Sequence, residues 1–229
     1  MNLDSPQNSV LVALDVPARE RALQLARDLE NHVGGFKIGL ELFCACGPQI
    51  VEEIGPQRVF LDLKFHDIPN TVAAASRVAA RLGVMIFNVH CLGGAEMMRA
   101  AADAAREANA NVKVIGVTIL TSHDNDSLKK IGLSETPREA VPRLAELAQE
   151  AGLDGVVCSA REILPVRARC GDEFLLVTPG IRPAGSASGD QKRVLTPAEA
   201  LKAGANYLVV GRPITGALDP AKAAQTLFD

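Results

Sequence analysis

Residues 60–71 read FLDLKFHDIPNT, a short apolar run that carries two carboxylates and an amine toward the end of a predicted strand. Successive side chains of a strand point to opposite faces, so Asp62 and Lys64 share one face and their apolar neighbours take the other. Burying either charge alone is costly, so we expect the two side chains to contact each other or a polar ligand. A structural ion pair that fills the inside of a barrel is the alternative interpretation.

The same strand-then-helix unit recurs along the chain, because short apolar or β-branched runs alternate with alanine-rich, helix-patterned segments. This alternation is typical of a parallel sheet with crossover helices. Eight strands are predicted at residues 10–16, 35–40, 59–65, 85–90, 112–120, 155–159, 174–178 and 207–210. Helices are predicted at residues 17–32, 40–54, 71–82, 94–108, 136–151, 160–169, 197–203 and 220–228. Eight such units favour an α/β fold with a single-domain TIM (β/α)8 barrel over residues 1–229, rather than an open doubly wound sheet.

Composition and charge argue against several classes of partner. The formal net charge is −3 and the basic residues are scattered, which gives no long-range attraction to nucleic acid or to an anionic membrane. No apolar stretch approaches the roughly 20 residues that span a bilayer, and the first residues do not resemble a signal peptide. The five cysteines form neither a disulfide framework nor a paired metal motif. We therefore expect a cytoplasmic protein that binds neither nucleic acid nor membrane.

Polar residues stand at the predicted carboxyl ends of several strands, which is where TIM barrels place their sites. The two ends that follow strands 7 and 8 commonly bind phosphate in such barrels, through backbone N–H groups and a helix N-terminus. Glycine allows close backbone approach there and arginine offers a planar fork to phosphate oxygens. The residues that fit this role are Arg182, Gly211 and Arg212, with Gln191 in the glycine- and serine-rich stretch 182–194, and Pro179 after strand 7 is a further candidate for substrate binding. A Gly-Arg turn that only leads into a helix is the alternative.

The other strand ends collect two lysines and several acids, namely Asp15, Lys37, Asp62, Lys64 and Asp67. An ammonium held between carboxylates keeps its proton until a stronger base forms within reach, so such a lysine can act as an acid. The acids could instead bind a hard cation such as magnesium. Two lysines in the same cluster argue against a metal, because their charges already take the place of the cation.

These motifs together resemble the bacterial orotidine 5'-monophosphate decarboxylase family over almost the whole chain. Residues 62–71 are similar to that family's signature throughout, and the segments 13–15, 36–39, 120–122, 178–182 and 210–214 are similar to its other motifs. The resemblance implies a TIM barrel that converts orotidine 5'-monophosphate to uridine 5'-monophosphate and carbon dioxide, the last step of de novo pyrimidine synthesis, without cofactor or metal. It also implies a homodimer in which Asp67 and Thr71 reach into the partner's site.

Residue roles are implied by the same resemblance. Lys64 would protonate C6 of the pyrimidine within an array completed by Lys37, Asp62 and Asp67. Asp15 and Lys37 would also contact the ribose, and Thr121 or Ser122 would hold the base. The residues expected to bind the phosphate are Arg182, Gln191, Gly211 and Arg212.

Two alternatives remain at this point. One is a magnesium-dependent sugar-phosphate decarboxylase or aldolase of the same barrel suprafamily, which has a similar Asp-x-Lys-x-x-Asp pattern. The second lysine and the sequence from His66 to Thr71 disfavour it. The other is a non-catalytic nucleotide-binding barrel, which would have no need of Lys64 between acids.

Overall fold

Eight parallel strands close into a barrel in the computed structural model, which describes residues 5–182 and 195–229. Each strand pairs with the next along the chain, and the last pairs with the first through Val10↔Leu208. The strands are Val10–Ala13 (β1), Gly35–Gly39 (β2), Val59–Phe65 (β3), Ile86–His90 (β4), Lys113–Val117 (β5), Gly155–Val157 (β6), Leu175–Pro179 (β7) and Tyr207–Val210 (β8). The predicted TIM barrel and its eight strands are confirmed.

Helices follow the strands and cover the outside of the barrel. They are Arg19–Leu29 (α1), Leu40–Cys46 (α2), Gln49–Ile54 (α3), Pro69–Arg81 (α4), Gly94–Ala108 (α5), Asn125–Lys130 (α6), Pro137–Glu150 (α7), Ile163–Cys170 (α8), Pro197–Lys202 (α9), Arg212–Thr215 (α10) and Pro220–Gln225 (α11). Short 3-10 turns lie at Pro6–Ser9, Pro56–Arg58, Cys91–Gly93 and Ala160–Glu162. Several helices begin at a proline, whose fixed φ and missing N–H suit the first turn.

Two predicted segments differ from the structure for local reasons. The single helix predicted at 40–54 is two helices, because Gly47 takes a φ of 70° and Pro48 cannot continue the hydrogen-bond pattern. The stretch 123–133, predicted to be irregular, contains α6, whose start is fixed by reciprocal bonds between Asp124 and Ser127. Side-chain capping of this kind forms a short helix without any long apolar pattern.

The core has two layers, one on each face of the strands. The outer layer lies between strands and helices, and it takes alternate strand residues such as Val10, Val12 and Phe36. The inner layer fills the barrel with the intervening residues, which are Leu11, Ala13, Phe60, Ile86, Ile115, Val177 and Val209. The interior is therefore apolar over most of its depth, and the positions above it are left for polar side chains.

A helix that crosses a membrane must be both long and apolar. Within residues 5–182 and 195–229, none has both the length and the apolarity to cross a membrane.

Candidate functional site

A chain of ion pairs crosses the mouth of the barrel above the apolar interior. Lys37 Nζ lies 2.9 Å from Asp15 Oδ1 and 3.4 Å from Asp62 Oδ2. Lys64 Nζ lies 2.6 Å from Asp62 Oδ1. The order is therefore Asp15, Lys37, Asp62, Lys64, with opposite charges alternating. The sequence predicted that these four residues meet, and the structure brings them together from β2, β3 and the end of β1.

Exposure differs sharply along this chain of charges. The side chains of Lys37 and Asp62 are only 10% and 13% exposed, whereas Lys64 is 32% and Asp15 61% exposed. Burial by itself opposes ionisation of Asp62, but the charges of Lys37 and Lys64, with hydrogen bonds from Lys64 and Asn88, hold its pKa below the ordinary 3.8. Asp62 is therefore a carboxylate at neutral pH, with an ammonium on either side.

The backbone of β3 departs from a regular strand where it carries these charges. Its ladder with β4 pairs Leu61 with Phe87 and Phe65 with Val89, so four steps on β3 match two steps on β4. Lys64 has a φ of 53°, and among the described residues it is the non-glycine residue with positive φ. A side chain in this left-handed region costs about 1–2 kcal/mol, and such residues cluster at functional sites. The shared face predicted for Asp62 and Lys64 is present, because Leu61, Leu63 and Phe65 pack in the outer layer, and the register shift falls within this same segment.

Asn88 on β4 is part of the site, although the sequence analysis did not name it. Its side chain is 1% exposed, donates to Asp62 Oδ1 at 2.7 Å, and accepts from the backbone N–H of Lys64 at 2.8 Å. One signal was available, because a single amide stands in the apolar run 86–89. A buried polar side chain in such a run requires a partner.

A cavity of about 160 Å³ lies beside the charged chain, inside the strand ends. This is about five times the volume of a liquid water molecule, the scale of a single ring. Its polar wall holds Lys37, Asp62 and Lys64, and the other walls are mainly apolar: Phe60, Val117, Ile119, Leu120, Thr121, Val157, Cys158, Pro179 and Val209. Burial raises the pKa of the Cys158 thiol to about 12, so it is a packing group rather than a nucleophile.

Thr121 and Ser122, the two residues predicted as alternatives for contacting a pyrimidine base, differ in position. Thr121 is half-buried and lines this cavity, whereas Ser122 is exposed and is not among the residues that line it. The placement favours Thr121 as the residue that faces a ring in the cavity. Pro179, the last residue of β7, also lines it.

The residues predicted to bind phosphate lie across the mouth from β3. Pro179 pairs with Val209, so the ends of β7 and β8 are adjacent. Arg182 follows β7 and is 8% exposed, and Gly211 and the exposed Arg212 begin α10 directly after β8. The two arginines and the glycine thus follow neighbouring strands. Gln191 lies outside the described residues.

The other two predicted residues are not members of the ion pairs that join Asp15, Lys37, Asp62 and Lys64. Asp67 is exposed and accepts a hydrogen bond from the backbone N–H of Ile68 at 2.7 Å. Thr71 is exposed in the first turn of α4. Ile68 between them is 66% exposed, and Leu92 on the next loop is 41% exposed.

Two histidines stack beside Lys64. The rings of His66 and His90 are 5.3 Å apart and nearly parallel. Burial, with the positive fields of His66, Lys64 and His123, lowers the pKa of His90 to about 4. His90 is therefore neutral at pH 7, and its Nδ1 accepts the N–H of Leu92. His90 is therefore a packing and hydrogen-bonding residue.

A larger depression lies elsewhere on the described surface. A groove of about 1030 Å³ lies between α6, α7 and α8, but it is an open surface depression away from the ion pairs. In residues 5–182 and 195–229, no group of three or more His, Cys, Asp or Glu side chains is arranged around a common metal position.

Comparisons with known proteins agree with this geometry. Residues 8–227 match the model of the orotidine 5'-phosphate decarboxylase / HUMPS family. The chain is 54% identical to an orotidine 5'-phosphate decarboxylase of Halorhodospira halophila over 99% of this chain and 97% of the relative. It is 52% identical to that of Nitrosococcus oceani over 96% of each. The crystal structure of the Lactobacillus acidophilus enzyme of this name superposes with a TM-score of 0.84 at 37% identity, over 95% of this chain and 96% of the other. The chain belongs to the orotidine 5'-phosphate decarboxylase / HUMPS family.

Proposed function

We propose that this protein decarboxylates orotidine 5'-monophosphate to uridine 5'-monophosphate and carbon dioxide, the last step of de novo pyrimidine synthesis. The observation that carries the proposal is Asp62 held between two ammonium groups at the edge of a ring-sized cavity. Relatives of that name, about half identical over nearly their full length, support the same activity. We further propose that residues 1–229 act as one catalytic domain in the cytoplasm.

Lys64 is the proposed acid. When the bond between C6 and the carboxylate breaks, its electron pair stays on C6 and carbon dioxide departs. No ring orbital easily accepts that pair, so a positive charge already in place beside C6 is the natural stabiliser. Lys64 then gives one proton to C6, which completes uridine 5'-monophosphate, and the neutral amine regains its proton from solvent. Asp62 and Lys37 keep the positive charge fixed before the substrate arrives.

The rest of the nucleotide has proposed partners around the mouth. Asp15 and Lys37 contact the ribose, because they form the end of the ion-pair chain at which Asp15 is open to solvent. Thr121 faces the base. Arg182, Gly211 and Arg212 bind the phosphate together with Gln191. Binding energy from the phosphate is remote from C6 and can be used to hold the ring in place for the chemical step.

A homodimer with shared sites is part of the proposal. Asp67 and Thr71 are exposed and are not members of the ion pairs of their own chain, and the exposed Ile68 and Leu92 offer apolar surface beside them. A second copy that covers this surface would bring its Asp67 to the array and bury apolar side chains.

The first experiment is to follow the ultraviolet absorbance of orotidine 5'-monophosphate with purified protein in excess chelator. We expect rapid loss, slowed by about 10⁴-fold or more in Lys64→Ala, because that variant lacks both the acid and the local charge. Arg169→Ala, on the far end of α8, is the control and should match the parent. Activity only on a sugar phosphate after magnesium is added would instead indicate a magnesium-dependent sugar-phosphate decarboxylase or aldolase. Nucleotide binding without turnover would indicate a non-catalytic nucleotide-binding barrel.

Subunit mixing tests the shared site. Lys64→Ala and Asp67→Asn, each inactive alone, should regain about a quarter of parental activity after random subunit exchange, because half the dimers are hybrids with one intact site. Mixtures that exchange subunits but remain inactive would show that each site lies within one chain.

The phosphate role of Arg212 has its own test. Arg212→Ala should weaken uridine 5'-monophosphate binding by about 10- to 100-fold, the size expected for a charge-assisted bond. Binding of uridine, which lacks the phosphate, should not change. Equal losses for both ligands would remove Arg212 from this role.

A further inference from the structure

A buried amide links the Asp62 carboxylate to the backbone of Lys64, the two residues that the mechanism requires to be fixed. Asn88 lies in β4 with 1% exposure, among apolar residues on either side along the strand. Its Nδ2 donates to Asp62 Oδ1 at 2.7 Å and its Oδ1 accepts from the Lys64 backbone N–H at 2.8 Å. Each partner admits one role, because a carboxylate only accepts and an N–H only donates. The amide orientation is therefore fixed at both ends.

The position of Asn88 explains how the irregularity in β3 is held. Between the pairs Leu61↔Phe87 and Phe65↔Val89, three residues of β3 stand opposite Asn88 alone. At Lys64 the side chain of Asn88 therefore supplies the hydrogen-bond acceptor for the backbone N–H. A buried N–H without an acceptor is costly, so this bond favours the backbone shape that the register shift imposes.

That backbone shape decides where the ammonium group lies. The φ of 53° at Lys64 is unfavourable for a residue with a side chain and persists only where its surroundings hold it. In this conformation Lys64 Nζ lies 2.6 Å from Asp62 Oδ1, the oxygen that also accepts from Asn88. The Asn88 amide thus fixes the backbone from which the Lys64 side chain extends. It also fixes the Asp62 carboxylate that binds the Lys64 ammonium group.

We propose that Asn88 is a positioning residue for the decarboxylation proposed above: it holds Lys64 in its left-handed backbone conformation and orients Asp62 beside it. Asn88 does not line the cavity beside the ion pairs. Its effect on the reaction passes through Lys64 and Asp62. A purely structural role, in which the amide only satisfies a buried N–H, would predict lost stability and no change in the ionisation that activity requires.

Three variants separate these roles. Asn88→Leu keeps the side-chain volume and removes both bonds. Asn88→Asp keeps the shape and the acceptor but places a carboxylate against Asp62. Asn206→Leu is the matched control, because Asn206 also accepts a backbone N–H from a neighbouring strand, that of Leu176, but lies at the opposite end of the barrel.

Steady-state kinetics on orotidine 5'-monophosphate between about pH 3 and 9, a range that includes the acid limb expected from Asp62, and thermal unfolding of each variant provide the test. We expect Asn88→Leu to lower kcat by about 10²-fold with a much smaller change in KM, as a misplaced catalytic group does. The acid limb of its profile should move to higher pH, because Asp62 loses a donor. Asn206→Leu should lose stability and keep its kcat and its profile.

Asn88→Asp gives a second signature. Two adjacent carboxyls share one proton, and the protonated Asp can then donate to Asp62 as the amide does. Its activity relative to the parent should therefore rise as the pH falls toward the point where the pair takes up that proton. A folded Asn88→Leu with kcat within about twofold of the parent, or with an unmoved acid limb, would overturn the proposal.

A crystal structure of Asn88→Leu separates this proposal from the proposed function. If Lys64 leaves the positive-φ region or loses contact with Asp62, Asn88 positions it, whatever the substrate. If both remain as in the parent, Asn88 does not hold them and the positioning role is wrong. Failure of the parent to decarboxylate orotidine 5'-monophosphate would contradict the proposed function alone.

Discussion

The two ends of the barrel use polar side chains in different ways. At the amino ends of the strands, which we call the floor, Arg167 donates to the backbone carbonyls of Gly171, Phe174 and Gly204, and to Asn206 Oδ1. At the carboxyl ends, the mouth, the charged side chains contact mainly one another. Polar groups at the floor therefore satisfy the backbone, whereas those at the mouth hold a charge array beside a cavity.

Backbone geometry follows the same division. At the floor, Asp154 accepts the N–H of Val114 at 2.8 Å and pairs with Lys113 at 3.3 Å, in a regular stretch of ladder. At the mouth, the ladder between β3 and β4 shifts register and Lys64 takes a strained φ. We infer that the amino ends of the strands contribute mainly to stability and the carboxyl ends mainly to function.

The largest effect on stability is expected at the floor. Arg167→Ala should lower the free energy of unfolding by about 3 kcal/mol, because several carbonyls lose a charged donor in a half-buried setting. The kcat of the folded variant should stay within about twofold of the parent, since the mouth is untouched. Urea unfolding and steady-state kinetics measure both.

Arg169→Ala is the control, because Arg169 lies on the same helix but makes an exposed ion pair with Glu146. It should change stability by less than about 0.5 kcal/mol. An Arg167 variant as stable as this control, or one with strongly reduced kcat, would break the proposed division between floor and mouth.

The second effect is a pH dependence that originates at the mouth. The pKa of His90 is about 4 in the folded protein and the ordinary value is 6.5, so the unfolded chain binds a proton first as the pH falls. Stability should therefore decrease between about pH 6.5 and 4, by an amount on the order of 1–2 kcal/mol after allowance for solvent screening.

Urea unfolding at several pH values measures this effect, with His90→Asn as the variant. Asn can accept the Leu92 N–H but does not titrate, so that part of the slope should disappear. Asp62 acts at lower pH: its folded pKa lies below 3.8, so its contribution is present above that value and is lost as the pH falls through the lowered pKa. If His90→Asn keeps the parental dependence of stability on pH between about pH 6.5 and 5, His90 is not the cause of that dependence.

The smallest effect isolates the strain at Lys64. Both Lys64→Gly and Lys64→Ala remove the ion pair, but glycine adopts a φ of 53° without penalty. We expect the glycine variant to be more stable than the alanine variant by about 1 kcal/mol. At Lys113, in the regular ladder of the floor, the order should be the usual one, with alanine more stable. If the alanine variant is the more stable one at position 64 as well as at position 113, Lys64 is not strained.

Some features followed from local patterns in the sequence. Alternating strands and helices predicted the barrel, and the strand ends predicted that Lys37, Asp62 and Lys64 meet. Boundaries were less accurate where one residue changes the backbone, as at Gly47, or where a side-chain cap forms a short helix, as at Asp124. Such local effects depend on a few hydrogen bonds, which hydrophobic periodicity does not encode.

By itself, then, the sequence determined the barrel, its charged mouth and the family, because period, charge spacing and contiguous motifs are local properties of the chain. Only the tertiary structure decided the contacts of Asn88, the left-handed conformation of Lys64 and the position of Thr121, rather than Ser122, at the cavity. The first two depend on how β3 is registered against β4, and the third depends on the turn that follows β5. A shift of register moves a side chain across several ångströms without changing any residue, so its consequences are decided when the barrel closes.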